Sequence, residues 1–355
     1  MTDIHITGAR FPGRYIQGPG LIARLGVEAQ SLGTAAFCLL DRALADRLEP
    51  MVRAAAGPLR ITCRAHGGEC SEDEIAAGVA AAQGADLVIG VGGGKTLDTA
   101  KVVADDLGVP MVVVPTIAAS DAPCSALAVV YNADGTVLRD QFLPRNPDLV
   151  LVDTQIIAQA PARFLAAGIG DALATFYEAE SSRRAQAPNC WGTHGAVVAH
   201  AIAALCRDVI FADGAAALAA CDAGTPDPAF ERVVEANILL SGAGFESGGV
   251  AGAHAIHHGL CEVPDVHHHL HGEKVALGVQ AMLLILGQDA EYARVRAFCE
   301  AVRLPVRLSD IGITDATDAK LHAVADRACK PGDIMENEPL RVTPDMVIAA
   351  LKRLI

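Results

Sequence analysis

Between residues 16 and 153, short apolar runs alternate with stretches whose apolar positions recur every three or four residues. Runs of the first kind read as buried strands and those of the second as amphipathic helices. Residues 35–40 and 59–63 are strands by this reading, and 43–55 and 72–83 are helices. In GADLVIGVGGGKTLDTAK, residues 84–101, the β-branched run 87–91 ends on three glycines. Leu97, Ala100, Val103, Ala104 and Leu107 then keep helical spacing over 96–107 until Gly108 and Pro110 stop it. Residues 111–115 form the next strand, 129–132 and 137–142 a hairpin around Asp134-Gly135, and 149–152 the last strand. Such alternation predicts a parallel sheet covered by helices, with ligands at the carboxyl ends of its strands. Beyond Pro161 the pattern changes to alanine-rich helices separated by Gly or Pro, at 162–183, 193–211, 229–242, 248–261, 273–287, 289–302, 316–328 and 344–354. The expected organisation is an α/β domain over residues 1–160 and an all-helical domain over 161–355.

A strand, a glycine turn and a helix let a diphosphate approach bare backbone N–H groups at the positive end of a helix dipole. Gly92, Gly93 and Gly94 are therefore candidate pyrophosphate contacts, although the spacing matches neither G-x-G-x-x-G nor the P-loop, and a sharp turn alone also explains them. Asp41, just past the strand 35–40, can accept hydrogen bonds from a ribose diol and repel a 2′-phosphate, which favours NAD over NADP. Capping the helix that begins near Ala43 is the competing role.

Composition narrows the function classes. Twenty-eight Lys and Arg against 42 Asp and Glu give a net charge of −14, which argues against nucleic acid and anionic membrane surfaces and fits a small neutral substrate better. No basic stretch precedes an apolar one at the start of the chain and no apolar span reaches membrane length, so the expectation is a cytoplasmic protein. Ten cysteines without a C-x-x-C pair read as reduced, mostly buried thiols.

Seven of the twelve histidines fall between His254 and His271. In GAHAIHHGL, His254 shares a helix face with His257 or His258, and HHHLHGE sets His271 just before the next helix. Clusters of this kind are metal-ligand candidates that an upstream carboxylate can complete. Asp171, an acid within the apolar helix GIGDALATF, is the most attractive one, since burying it unpaired is costly. A cap or a salt bridge explains Asp171 equally well, and a solvated loop is the simpler account of His267, His268 and His269.

Taken together, GVGGGKTLDTAK, PTIAASDAPCSALAVVY, NPDLVLVDT, GIGDALATFYEA, GFESGG and HxxHHG…HLHGEKVALG resemble the iron- and zinc-dependent polyol dehydrogenase family over nearly the whole chain, in order and approximate spacing. The resemblance implies a Rossmann-like α/β nucleotide domain and an all-α domain, as in dehydroquinate synthase-like proteins, with the zinc and substrate site in the cleft between them. It further implies reversible, NAD-dependent oxidation of glycerol or a similar vicinal diol to a hydroxyketone, by a homo-octamer. Carried over residue by residue, Asp171, His254 and His271 would hold zinc. Gly92, Gly93, Gly94, Lys95, Asp98, Thr116, Ser120, Ser125, Leu127 and Tyr131 would contact NAD. Asp121 would meet the substrate, beside an apolar wall from Phe245, and His257 or His258 would relay a proton.

Three departures concern the substrate more than the reaction type. Ala119 stands where the family has the hydroxyl residue of S-T-D-A-P, His258 where asparagine is common, and Glu336-Asn337 where His-Asn is usual. The alternatives are a hydroxycarboxylate or 2-hydroxyketone dehydrogenase of the same family, a phosphate-eliminating lyase, and a fold that binds without turnover. The lyase needs basic residues around its substrate, and few lie near the histidine cluster; the Asp171, His254 and His271 set argues against loss of turnover.

Overall fold

The computed structural model describes residues 6–132 and 136–355, and the chain falls into two compact units. One comprises Phe11–Pro161 and Cys221–Asp227; the other takes the segment ending at Arg10, Ala162–Ala220 and Pro228–Ile355. The first strand, β1 (Thr7–Gly8), belongs to the second of these.

In the α/β unit, β2 (Tyr15–Gly18), β3 (Ala35–Leu40), β4 (Arg60–Ala65), β5 (Leu87–Gly92), β6 (Met111–Pro115) and β9 (Leu149–Asp153) form a parallel sheet in the order β2-β9-β6-β5-β3-β4. β5, β6 and β9 are buried throughout and β3 nearly so, as unbroken apolar runs require of strands covered on both faces, whereas β4 at the edge is partly exposed. Helices α1 (Leu25–Ala29), α2 (Ala45–Ala55), α3 (Glu72–Ala81), α4 (Gly94–Leu107) and α5 (Thr154–Ala158) complete the unit, with β7 (Leu127–Tyr131) and β8 (Val137–Phe142) as an antiparallel hairpin. The expected Asp134-Gly135 turn lies outside the described residues. The chain runs outward from β3 to β4, then crosses back to the other side of β3 for β5 and β6. That reversal makes the carboxyl ends of β3 and β5 a topological switch point, where open α/β sheets bind ligands. Asp41 follows β3 and Gly93 follows β5, and they are tied together by the Asp41 N–H donating to the Val91 carbonyl at 2.9 Å. The helix expected from residue 43 starts at Ala45, because the Ala43 N–H turns back to Asp41 Oδ1 at 2.9 Å.

Behind this edge lies a buried ammonium group. Lys101, 3% exposed, donates from Nζ to the carbonyls of Ala122 (2.6 Å) and Leu127 (2.8 Å) and meets Asp98 Oδ1 at 3.1 Å. Asp98 Oδ2 in turn accepts from the Val129 N–H at 3.1 Å. Burial pushes the Asp98 carboxyl up from its ordinary value, against the pull of Lys101. The pair thereby staples the segment carrying Asp121, Ser125 and Leu127 to α4.

The helical unit contains α6 (Ala162–Ala185), α7 (Val197–Asp222), α8 (Pro228–Glu235), α9 (Ser241–Gly248), α10 (Gly252–Leu260), α11 (His271–Ile285), α12 (Asp289–Ala301), α13 (Asp318–Ala328) and α14 (Pro344–Lys352). Residues 193–196 are not helical as expected: β10 (His194–Gly195) pairs in parallel with β1, a partner some 190 residues away that local periodicity cannot signal. The helix expected to end near 242 continues through a π-helical turn, Ala236–Leu240, into α9 and ends at Gly248. Gly249, at φ 104°, breaks the chain there, so α10 begins at Gly252 and not at 248. At Gly272 a Cβ would overlap the Ala167 carbonyl, and at Gly278 one would overlap the Ala253 carbonyl. These two positions let α11 lie backbone to backbone against α6 and α10. Among the described residues no helix is long and apolar enough to cross a membrane.

Replacing Lys101 by Met keeps the length of the stem and leaves Asp98 buried without its cation, so Lys101→Met is expected to lose about 3–5 kcal/mol of unfolding free energy. Urea titration measures it; a loss below about 1 kcal/mol would mean that Lys101 is not the staple.

Candidate functional site

The helical unit gathers its ionisable groups where α6, α10 and the start of α11 meet. Asp171 and Glu178 are seven residues apart on α6, hence on one face, and only 1% and 0% exposed. The close approach at Gly272 brings the neighbouring His271, first residue of α11, to Asp171: its Nε2 lies 3.1 Å from Oδ1. His254 Nε2, from the first turn of α10, points at the same oxygen from 3.6 Å. One ligand atom from each residue lies within 4.8 Å of the others.

Glu178 organises the His254 side. α10 has no side-chain cap of its own; instead Glu178 Oε1 accepts from the backbone N–H groups of Ala251 (2.9 Å) and His254 (2.8 Å). Its Oε2 lies 2.6 Å from His254 Nδ1. One carboxylate thus takes two of the helix's orphan donors and fixes the imidazole tautomer, leaving Nε2 free to face Asp171. Glu338 completes the cap, accepting from the Gly252 N–H at 2.8 Å and from Ser181 Oγ at 2.7 Å. His271 is held similarly, with Nδ1 3.1 Å from His257 Nε2.

Electrostatics follow from these contacts. Burial works against ionising Asp171, yet His271 and His254 hold its carboxyl below the usual range. Burial also disfavours a charged His254, but Glu178 and Asp171 outweigh it and raise the imidazole well above its ordinary value. His257 is driven well below by burial, reinforced by His271 and Lys274, and His258 is pushed down to about 4, chiefly by burial. Glu338 is raised to about 7 by burial. An imidazole pair and a carboxylate converging through Nε2, Nε2 and Oδ1, each imidazole anchored through Nδ1, is a donor set that suits a divalent transition metal with open positions.

In the α/β unit, α4 begins at Gly94, with Gly93 extended before it and no side-chain cap on the helix. A Cβ at Gly92 would crowd Thr96 and Asp41, and one at Gly94 would meet nothing, so the turn presents open backbone. Lys95 pairs with Glu69 and lies 5.5 Å from the Tyr131 ring. The Thr116 N–H donates to the Gly92 carbonyl at 3.0 Å, bringing the end of β6 to the turn. Ser125 is buried and Ser120 half-buried; the half-buried Asp121 closes its turn by accepting the Cys124 N–H at 3.2 Å. Both Asp98 oxygens are engaged within the protein, so the structure gives that residue a bracing role. Phe245 is buried in α9, and His267 and His268 are exposed. Glu178, Glu338 and Lys101 were not among the residues singled out from sequence. The seven-residue spacing of Glu178 from Asp171 within an apolar helix was its available signal.

The model of the family described as iron-containing alcohol dehydrogenase matches residues 12–154. The chain is 48% identical to a glycerol dehydrogenase of Thermotoga maritima, over 98% of this chain and 96% of that protein. It is 42% identical to a glycolaldehyde reductase of Halobacterium salinarum, over 96% and 94%. The crystal structure of a probable glycerol dehydrogenase from Sinorhizobium meliloti 1021 superposes with a TM-score of 0.94 at 44% identity, covering 98% of both chains.

Glu178→Gln tests the tautomer argument. The amide oxygen can still cap α10, but the charge behind His254 is gone, so metal affinity is expected to fall about 10–100-fold with little loss of stability. Competition against a chromophoric chelator reads the affinity; an unchanged value would make Glu178 a helix cap only.

Proposed function

The chain belongs to the iron-containing alcohol dehydrogenase family, and on that basis we propose that it oxidises glycerol, or a small vicinal diol like it, to the hydroxyketone with NAD as hydride acceptor. The observation that carries this reading is the near full-length relationship, at 48% identity, to a protein named glycerol dehydrogenase. The α/β unit serves as the nucleotide domain and the helical unit as the metal and substrate domain, the division expected at residue 160 being crossed by the segment ending at Arg10 and by Cys221–Asp227, and Asp171, His254 and His271 would hold zinc. A divalent metal there supplies Lewis-acid polarisation of the reacting hydroxyl, lowering its pKa.

The chain's own residues bind and orient. The turn of Gly92, Gly93 and Gly94 receives the cofactor diphosphate at the start of α4, and Asp41 takes the ribose diol, which favours NAD over NADP. Lys95, Thr116, Ser120, Ser125, Leu127 and Tyr131 line the rest of the cofactor site, and Asp98 acts through Lys101 on the segment that carries them. Asp121 accepts a hydrogen bond from the hydroxyl that is not oxidised, and Phe245 forms an apolar wall. His258, neutral near pH 7 because burial pushes it down to about 4, is in the form that accepts a proton. The protein works in the cytoplasm as a homo-octamer by this reading. Reduction of glycolaldehyde is the second reading, favoured by the 42% identical Halobacterium relative.

Activity with glycerol and NAD should vanish on chelation and return with zinc; a metal-free protein of full activity contradicts the proposal, and a kcat/KM higher for glycolaldehyde than for dihydroxyacetone favours the second reading. The role of Asp121 has its own test. An acceptor that a bound mono-alcohol shields from water without giving it a donor costs about 1–3 kcal/mol, so the wild type should prefer 1,2-propanediol to 2-propanol by about one to two decades in kcat/KM. Asp121→Ala should shrink that preference, with the diol losing most. Equal losses on both alcohols, with a lower Tm, would mean that Asp121 only braces its turn.

A further inference from the structure

A cavity of about 270 Å³ opens between α6, α7, α11 and α12, away from any residue assigned above to the metal or cofactor. Phe176, Leu283 and Leu286 supply its apolar surface, and three arginines, Arg184, Arg207 and Arg294, line it. In a chain of net charge −14, three guanidinium groups on one small cavity are an uneven distribution. Its two carboxylates are already engaged. Glu291 accepts from the Tyr177 hydroxyl and pairs with Arg294 at 3.1 Å, while Glu180 pairs with Arg183 at 2.7 Å. Arg207 lays its guanidinium on the Phe176 ring, 3.9 Å from the centroid, and pairs with the exposed Asp208. Among the described residues Arg184 has no carboxylate at ion-pair distance. The Arg184 guanidinium, with the Nη1 of Arg207 left over from its Asp208 pair, beside the Leu283 and Leu286 side chains matches a small apolar body that carries one carboxylate.

The wall of this cavity also touches the machinery of α10. Ser181 lines it and donates to Glu338, whose other oxygen accepts the Gly252 N–H two residues before His254. Met282 lines it too, and its Cγ lies where a Cβ on Gly252 would come within 3.1 Å. We propose that this cavity binds a small organic carboxylate with an apolar or aromatic body, held by Arg184 and Arg207, and that occupancy is transmitted to the first turn of α10 through Ser181 and Glu338. The site is independent of which alcohol the protein oxidises.

Calorimetric titration of the metal-loaded protein with benzoate tests the binding, with benzyl alcohol and sulfate as the uncharged and the non-apolar comparators. Saturable binding of benzoate above both comparators is expected, weakened about tenfold or more in Arg184→Gln/Arg207→Gln, as loss of charge-assisted hydrogen bonds requires. Leu286→Trp, which fills the cavity without removing charge, should weaken it as well. His271→Ala should leave it intact, because a carboxylate captured by the metal would be lost there. Benzoate should also change the rate of metal release to a chelator in the wild type and not in Ser181→Ala. Binding unaffected by both cavity variants, or abolished by His271→Ala, overturns the site; equal effects on metal release with and without Ser181 overturn the transmission.

Discussion

The buried carboxylate of Glu178 is the contact on which the helical unit's chemistry depends. It is fully removed from solvent, so its charge must be met by donors, and the donors it meets are the first amides of α10 and the Nδ1 of the histidine on that turn. One desolvated group therefore sets the start of a helix, the rotation of that helix about its axis and the tautomer of His254. Asp171, two turns earlier on the same face of α6, then lies opposite the free Nε2. Around the same turn, Glu338 accepts the Gly252 N–H directly, and His271 faces Asp171 while its Nδ1 meets His257.

Packing supplies the distances that hydrogen bonds then fix. α11 approaches α6 and α10 closely because Gly272 and Gly278 present no Cβ to the facing carbonyls, and side chains there would push His271 away from Asp171. The α/β unit uses a topological device for a comparable end. Because the chain reverses direction across β3, the residues following β3 and β5 face a gap that no crossing helix covers, and Asp41 and the three glycines stand there. Lys101 carries the same logic one layer deeper. Its buried charge is neutralised by Asp98 and spread over two carbonyls of the segment leading into β7, which stiffens the turn carrying Asp121.

Much of this was legible in the sequence. The buried strands were marked by unbroken apolar runs, and β6 and β8 fall where expected; the glycine turn was visible because no side chain interrupts it. Asp171 and the histidines stood out as charge and imidazole among apolar residues. What escaped was set by partners distant in sequence. β10 forms by pairing with β1, and the π-helical turn lets one helix run on from 236 to 248. Lys101 read as an ordinary polar position of α4, since its carbonyl partners lie 21 and 26 residues on. Glu178 sits in FYEAE, at the polar end of an apolar helix, where an acid looks solvated; its burial follows from the packing of α10 against α6.

The proposed metal centre takes Asp171, His254 and His271 and leaves out the Cys261 thiol, whose Sγ lies 3.6 Å from His257 Nε2 and accepts from Lys274 Nζ at 3.3 Å. Zinc K-edge X-ray absorption on the zinc-loaded protein tests it most directly. The account predicts a first shell of nitrogen and oxygen only, at about 2.0–2.2 Å, with the imidazole outer-shell signal of two histidines falling to one in His254→Ala. A sulfur scatterer at about 2.3 Å, or a spectrum unchanged by His254→Ala, would contradict it.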